Sequence, residues 1–189
     1  MKWLDALLGR PRVPTSRLEA LFAMSTARLS LETRLDLRWG GRAGVVLRGV
    51  ESSYYESAER ELDDLLAIAL KEAGTASARQ RDAQGFEWVV LRDEQLEDVV
   101  AAAHMVGQTL QGHGFLDRLV AALFAFKGAD GGDVYWVYNY KRGTFYPFVP
   151  RGGRARDNAL ELRLAAVMKG ELPVEPETER WYALWDPPL

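Results

Sequence analysis

Any chemistry in this chain has to come from oxygen and nitrogen side chains, because its 189 residues include no cysteine. That excludes thiol nucleophiles, disulfide frameworks and thiolate zinc sites. The histidines, His104 and His113, do not have the i, i+4 spacing that sets two imidazoles on one metal. A helix flank and a helix end are the roles that suit them. Glu59 and Asp63 would share a helix face and could do general acid–base work if one were buried, but a solvated acidic face explains them equally well. The glycine- and aspartate-rich residues 128–133 lack the ligand spacing and distal glutamate of a calcium loop, so they read as a hairpin turn. No phosphate-cradling loop, nucleophile elbow or zincin motif is present. The reading is therefore of no catalytic residue, no metal and no cofactor.

One segment stands apart. Tyr135, Trp136, Tyr138, Tyr140, Phe145, Tyr146 and Phe148 crowd seven rings into residues 135–148, interleaved with Lys141 and Arg142 and followed by Arg151, Arg154 and Arg156. Strand alternation puts Trp136, Tyr138 and Tyr140 on one face and Tyr135, Val137 and Asn139 on the other. Pro147 and Pro150 keep the next segment extended and deny it a full ladder, which predicts an edge strand or surface arm. Three fates are open to these rings: core packing under the last helix and the tail, a protein-binding surface of the kind that Tyr, Trp and Arg make, or a stacking platform for single-stranded nucleic acid. The acidic total and an acidic middle helix count against nucleic acid.

The elements that must position this segment follow from composition and period. With 48% apolar and 27% charged residues, the chain is long enough to bury a sizeable core as one domain. It has no apolar run long enough to span a membrane and no signal-peptide pattern at its start, so the expected location is cytoplasmic. Net charge alternates along the chain: +5 over residues 1–50, −8 over 51–113, +4 over 114–156 and −4 over 157–189.

Residues 1–14 read as a short amphipathic segment. Trp3, Leu4, Leu7 and Leu8 lie on one side and Lys2, Arg10 and Arg12 flank them, a pattern that could touch an anionic membrane surface through residues 1–12 or pack on the protein body. Ser16 and Glu19 form a capping box that opens a helix ending near Met24. Leu29, Leu31, Leu35 and Leu37 alternate like a strand, and Gly40-Gly41 would turn the chain into a second strand over residues 43–47. Helices are expected over residues 55–73 and 94–111, hairpins over 75–92 and 118–140, and a last helix from Asn158, boxed by Glu161, to Gly170. Residues 171–189 hold four prolines and no period, so they should form an irregular tail over residues 15–170, anchored by Trp181, Tyr182, Leu184 and Trp185. The order αββαββαββα gives an α+β class, with one antiparallel sheet built from hairpins and helices packed on it. In arrangement alone this is similar to small chaperone folds such as type III secretion chaperones.

Residues 138–148 (YNYKRGTFYPF), followed by Arg151-Gly152-Gly153, Arg156-Asp157-Asn158 and residues 160–164 (LELRL), resemble the PspA-associated family PspAB. So do residues 170–176 (GELPVEP), the ending Glu179-Arg180-Trp181-Tyr182 and Leu184-Trp185, the opening residues 4–10, and the segments 41–50 and 88–92. The resemblance runs along the whole chain and is most specific in its C-terminal half. It implies association with phage-shock protein A, a coiled-coil, membrane-binding envelope-stress protein, in a setting that also includes an HtpX-type metalloprotease. It supplies no catalytic residue. The expectation is a non-enzymatic accessory or adaptor protein of the PspA-type envelope-stress response. Its partner would be a PspA-like protein, met through Tyr138, Tyr140, Lys141, Arg142, Phe145, Tyr146, Phe148 and Arg151. The alternatives are a hydrolase or transferase with an unrecognised site and, third, a nucleic-acid module.

Overall fold

A computed structural model of the chain describes residues 15–49, 56–72 and 74–189. The amphipathic segment read at residues 1–14, with its membrane contact, lies outside the described residues.

Helix α1 (Thr15–Glu19) runs through a 3-10 turn (Ala20–Phe22) into α2 (Ala23–Leu35). The strand expected over residues 29–37 is thus mostly helix. The spacing of Leu18, Leu21, Met24, Ala27 and Leu31, all buried, keeps to one helical stripe, while Leu29 is 69% exposed. The helix stops where Asp36 turns left-handed (φ 51°) and the N–H groups of Asp36 and Leu37 both donate to the Leu31 carbonyl.

Strand β1 (Arg38–Leu47) follows, and it is one strand rather than two. The Gly40-Gly41 pair is a bulge inside it: the register against β4 slips between Trp39 and Arg42, and Gly41 takes φ 72°. A side chain at Gly40 would meet the Ala125 carbonyl oxygen at 2.8 Å. The first expected hairpin is therefore absent, and the order becomes helix, strand, helix, two strands, helix, three strands and a small separate hairpin, helix.

The remaining elements are α3 (Glu56–Glu72), β2 (Ala76–Arg81), β3 (Glu87–Arg92), α4 (Leu96–Gly112), a 3-10 turn (Leu116–Arg118), β4 (Leu119–Lys127), β5 (Asp133–Asn139), β6 (Thr144–Phe148), the small hairpin β7 (Pro150–Arg151) and β8 (Ala155–Arg156), α5 (Asn158–Met168) and a 3-10 turn (Thr178–Arg180). Six strands form one sheet in the order β2-β3-β1-β4-β5-β6, antiparallel throughout. The chain is an α+β single domain.

Alternation along the strands divides the core in two. On the inner face Val45, Val89, Leu91, Phe124, Phe126, Trp136 and Tyr138 pack against α1, α2, α3 and α4, which contribute Leu18, Met24, Leu66, Leu70, Val99 and Val106. On the outer face Val46, Trp88, Val90, Leu123, Val137, Tyr146 and Phe148 pack against the tail residues Trp181, Leu184, Trp185 and Leu189. Asp157, not Asn158, caps α5, accepting from the Leu160 N–H at 2.9 Å. Glu161, expected to complete a capping box, is instead buried and accepts from the Val149 N–H at 2.8 Å and from Arg156 Nε at 2.9 Å.

Candidate functional site

The aromatic segment folds as β5, a tight turn and β6. Gly143 (φ 72°) makes that turn, donating its N–H to the Asn139 carbonyl at 2.8 Å. The alternation read from sequence holds in this hairpin: Trp136, Tyr138, Tyr140 and Phe145 face inward, and Tyr135, Val137, Tyr146 and Phe148 face outward.

The expected binding surface needs a correction, because its five rings are core. Tyr138, Tyr140, Phe145 and Phe148 have no exposed area and Tyr146 has 3%. The Tyr138 hydroxyl donates to the Arg17 carbonyl, and the Tyr140 hydroxyl reaches the Ala103 carbonyl at 3.4 Å. Phe145 lies 4.6 Å from the Tyr138 ring, centroid to centroid. On the outer face Trp181 stacks on Tyr146 at 6.4 Å, Trp185 stands edge-on to Phe148 at 5.0 Å, and the Arg156 guanidinium sits 5.3 Å from the Phe148 ring centre. Burial raises the Tyr138, Tyr140 and Tyr146 hydroxyls well above the ordinary phenol range, so all three stay neutral hydrogen-bond donors.

The physical reason is a second cover at the sheet edge. Beyond β6 the tail adds a parallel bridge, Val174 to Phe145. The Phe145 N–H donates to the Pro173 carbonyl and the Glu175 N–H to the Phe145 carbonyl, both at 2.8 Å. β6 is therefore not an open edge, and Pro147 keeps its place in the ladder opposite Trp136.

The three cationic members of the expected surface are exposed, but two are already paired. Arg142 pairs with Glu175, a carboxylate 1% exposed that also accepts from Thr144 Oγ1 at 2.9 Å. Burial pushes the Glu175 carboxyl up, but the hydrogen bonds from Arg142, Thr144 and the Glu177 N–H outweigh it and hold the group below its ordinary range. Arg151 reaches Asp157 at 2.9 Å and Asp130 at 3.4 Å. Lys141 makes no side-chain ion pair among the described residues, and its carbonyl accepts from Arg17. The structure thus does not bring the eight residues together as one surface. Single residues gave no signal for Glu175, Glu161 or Arg156, because nothing local marks a carboxylate or guanidinium that will be buried by a distant segment.

A second buried charge cluster lies on the inner face. Glu87 accepts from Arg81 at 2.9 Å and from Arg118 at 3.0 Å, and Arg79 bridges it to Asp63. Burial pushes the Glu87 carboxyl up, but Arg81, Arg79 and Arg118 hold it below its ordinary value. Asp63 is therefore an ion-pair partner in this arrangement, while the Glu59 side chain lies outside the described residues. His104 packs on Phe22 at 4.6 Å, and burial lowers its pKa. His113 ends α4. No group of His, Asp or Glu among the described residues is arranged to hold a metal ion.

Surface cavities among the described residues include two beside the last helix. One of about 360 Å³ is lined by Arg34, Asp36, Asp130, Arg151 and Arg163 over a floor of Leu37 and Val134. The other, of about 320 Å³, lies between α5 and the tail beside Arg156, Glu161 and Trp181. In the larger one Arg34 is engaged by Glu171 at 3.0 Å, and Arg151 by its two aspartates.

The whole sequence, residues 1–189, matches the family model described as PspA associated protein B. The chain belongs to the PspAB family. The match covers the aromatic hairpin, the tail that seals it and the helical layer alike. No curated protein and no solved structure matches the chain. No helix among the described residues is long and apolar enough to cross a membrane.

Proposed function

We propose that this chain is a non-enzymatic accessory protein of a PspA-type envelope-stress response, working in the cytoplasm by binding a PspA-like partner. The match of its entire length to a family described as PspA-associated carries this reading. The internal chemistry is consistent with it. The carboxylates Glu87 and Glu175, both held below their ordinary range, are each neutralised by arginines that tie elements together, so their shifts serve the fold. The phenols of Tyr138, Tyr140 and Tyr146 are spent on backbone carbonyls. Exposed charged side chains are part of what such a fold presents to a partner.

The test is calorimetry of the purified chain against the PspA homologue of its own host. Saturable binding at a fixed stoichiometry is the expected result. Absence of heat and of co-elution at high protein concentration would sink the accessory reading.

A further inference from the structure

The outer face is not covered evenly. Its register places Ala76, Arg92, Arg42, Ala125, Tyr135 and Phe148 in one row across the sheet. Arg42 and Arg92 are direct antiparallel partners. Such side chains stand about 5 Å apart at Cβ, and like charges in that position are destabilising. Arg38 is paired with Lys127 along the same side of β1.

None of Arg38, Arg42 and Arg92 makes an ion pair or side-chain hydrogen bond among the described residues. Two carboxylates nearby in register or sequence are committed elsewhere, and Asp186 of the tail and Arg42 both act on the Tyr135 hydroxyl without pairing with each other. Asp133 holds Lys127 at 2.7 Å, and Asp93 Oδ1 accepts from the Gln95 N–H at 3.0 Å. Arg38 and Arg92 are exposed and Arg42 is half-buried. At the other end of β3 the arrangement is the opposite, with Glu87 engaging three arginines.

We propose that Arg38, Arg42 and Arg92 form the docking surface for an acidic segment of the chain's protein partner. Guanidinium groups present rigid forks that bind carboxylates bidentately, and an incoming run of Glu or Asp would relieve the repulsion built into the Arg42–Arg92 pair. A protein carboxylate fits better than a lipid headgroup. The exposed large apolar side chains of the described residues (Phe22, Leu29, Ile68, Leu162 and Tyr182) all lie on other elements, so none of them stands at this corner to insert into a bilayer. The inference rests on the accessory reading for its partner, but not for its chemistry.

The experiment uses the full chain, an Arg42→Gln/Arg92→Gln double variant and a Lys141→Gln control. Each is titrated with a labelled peptide of alternating Glu and Ala, with anionic phosphatidylglycerol vesicles, and with the host PspA homologue. The peptide should bind with salt-sensitive affinity, and the double variant should lose at least about fivefold in affinity for both peptide and PspA. The control should lose less. Because these arginines make no ion pair or side-chain hydrogen bond among the described residues, the double variant should keep or raise the thermal midpoint, and a fall would overturn the proposal by assigning them to stability. It is also overturned by absent peptide binding, by equal affinity in the double variant, or by vesicle binding that depends on the row while peptide binding does not. PspA bound equally well by the double variant overturns the row and leaves the accessory reading standing. Peptide binding through the row with no PspA binding does the reverse.

Discussion

The inner face of the sheet is covered by helices, which satisfy their own backbone hydrogen bonds and need only an apolar stripe to dock. The outer face is covered by residues 181–189, with no helix or strand of their own, and that cover needs external ties. The structure supplies them. Arg156 donates to the Trp181 carbonyl at 2.7 Å, Tyr146 to the Tyr182 carbonyl at 3.1 Å, and the Trp181 indole to the Glu175 carbonyl at 3.1 Å. Buried Glu161 and Glu175 in turn fix Arg156 and Arg142. An irregular segment can thus seal a sheet as tightly as a helix when a few buried charges replace the missing ladder. The cost is that each tie is a single point of failure.

The inner face should show the larger effect. Trp136 is fully buried among the helices, and Trp136→Ala should cost about 3–5 kcal/mol by loss of contacts and the cavity left behind. Urea unfolding should report this as a lower midpoint with one cooperative transition. Trp181→Ala, on the outer face, should cost about 2–3 kcal/mol, because a tail can settle into the space more easily than a helix layer. Limited proteolysis should then cut within residues 176–189 before the rest of the chain. Equal losses from both variants, without selective tail cleavage, would erase the distinction between the faces.

Glu175→Ala tests a tie rather than a ring. It strands Arg142 and Thr144, but Arg142 is partly solvated, so the loss should be about 2 kcal/mol rather than the full penalty of a broken buried pair. Gly44→Ala should cost about 1–2 kcal/mol. Its Cβ would lie 2.8 Å from the Trp88 ring and 2.9 Å from Leu189, so the end of the tail must move. Differential hydrogen exchange should place that loosening on the outer face alone, and exchange changes in α4 would count against it.

This division explains what could be read in advance. The period of α3 and α4, the hairpins β2–β3 and β4–β5 and the alternation of β5 were legible because each is set by neighbours in sequence. The first hairpin was misread because Leu29, Leu31, Leu35 and Leu37 mimic a strand, whereas the stripe from Leu18 to Leu31 is helical and continues from the preceding turn. Gly40-Gly41 marks a bulge as readily as a turn, and only pairing with β4 decides between them. The aromatic hairpin was found, but its exposure could not be judged without the tail, which returns more than thirty residues later to cover it. The Arg42–Arg92 opposition became visible only once the register of β1 against β3 was set.

Acid titration gives the smallest and most diagnostic contrast, because each face holds a buried carboxylate whose pKa folding depresses: Glu87 inside and Glu175 outside. A carboxylate held below its unfolded value of 4.5 contributes its stability above that pH. The contribution fades as the pH falls from there through the depressed folded value. Glu175→Gln and Glu87→Gln should each lower stability at neutral pH and flatten the decline below about pH 4.5. In the parent chain, acidification should free the outer cover through Glu175 and open the helix-covered end through Glu87. If Glu175→Gln shifts the acid onset of tail cleavage without moving the loss of helical circular dichroism, the two covers are separate cooperative units. If both signals shift together, the ties at the sheet edge hold the whole domain, and the outer cover belongs to the core as fully as the helices do.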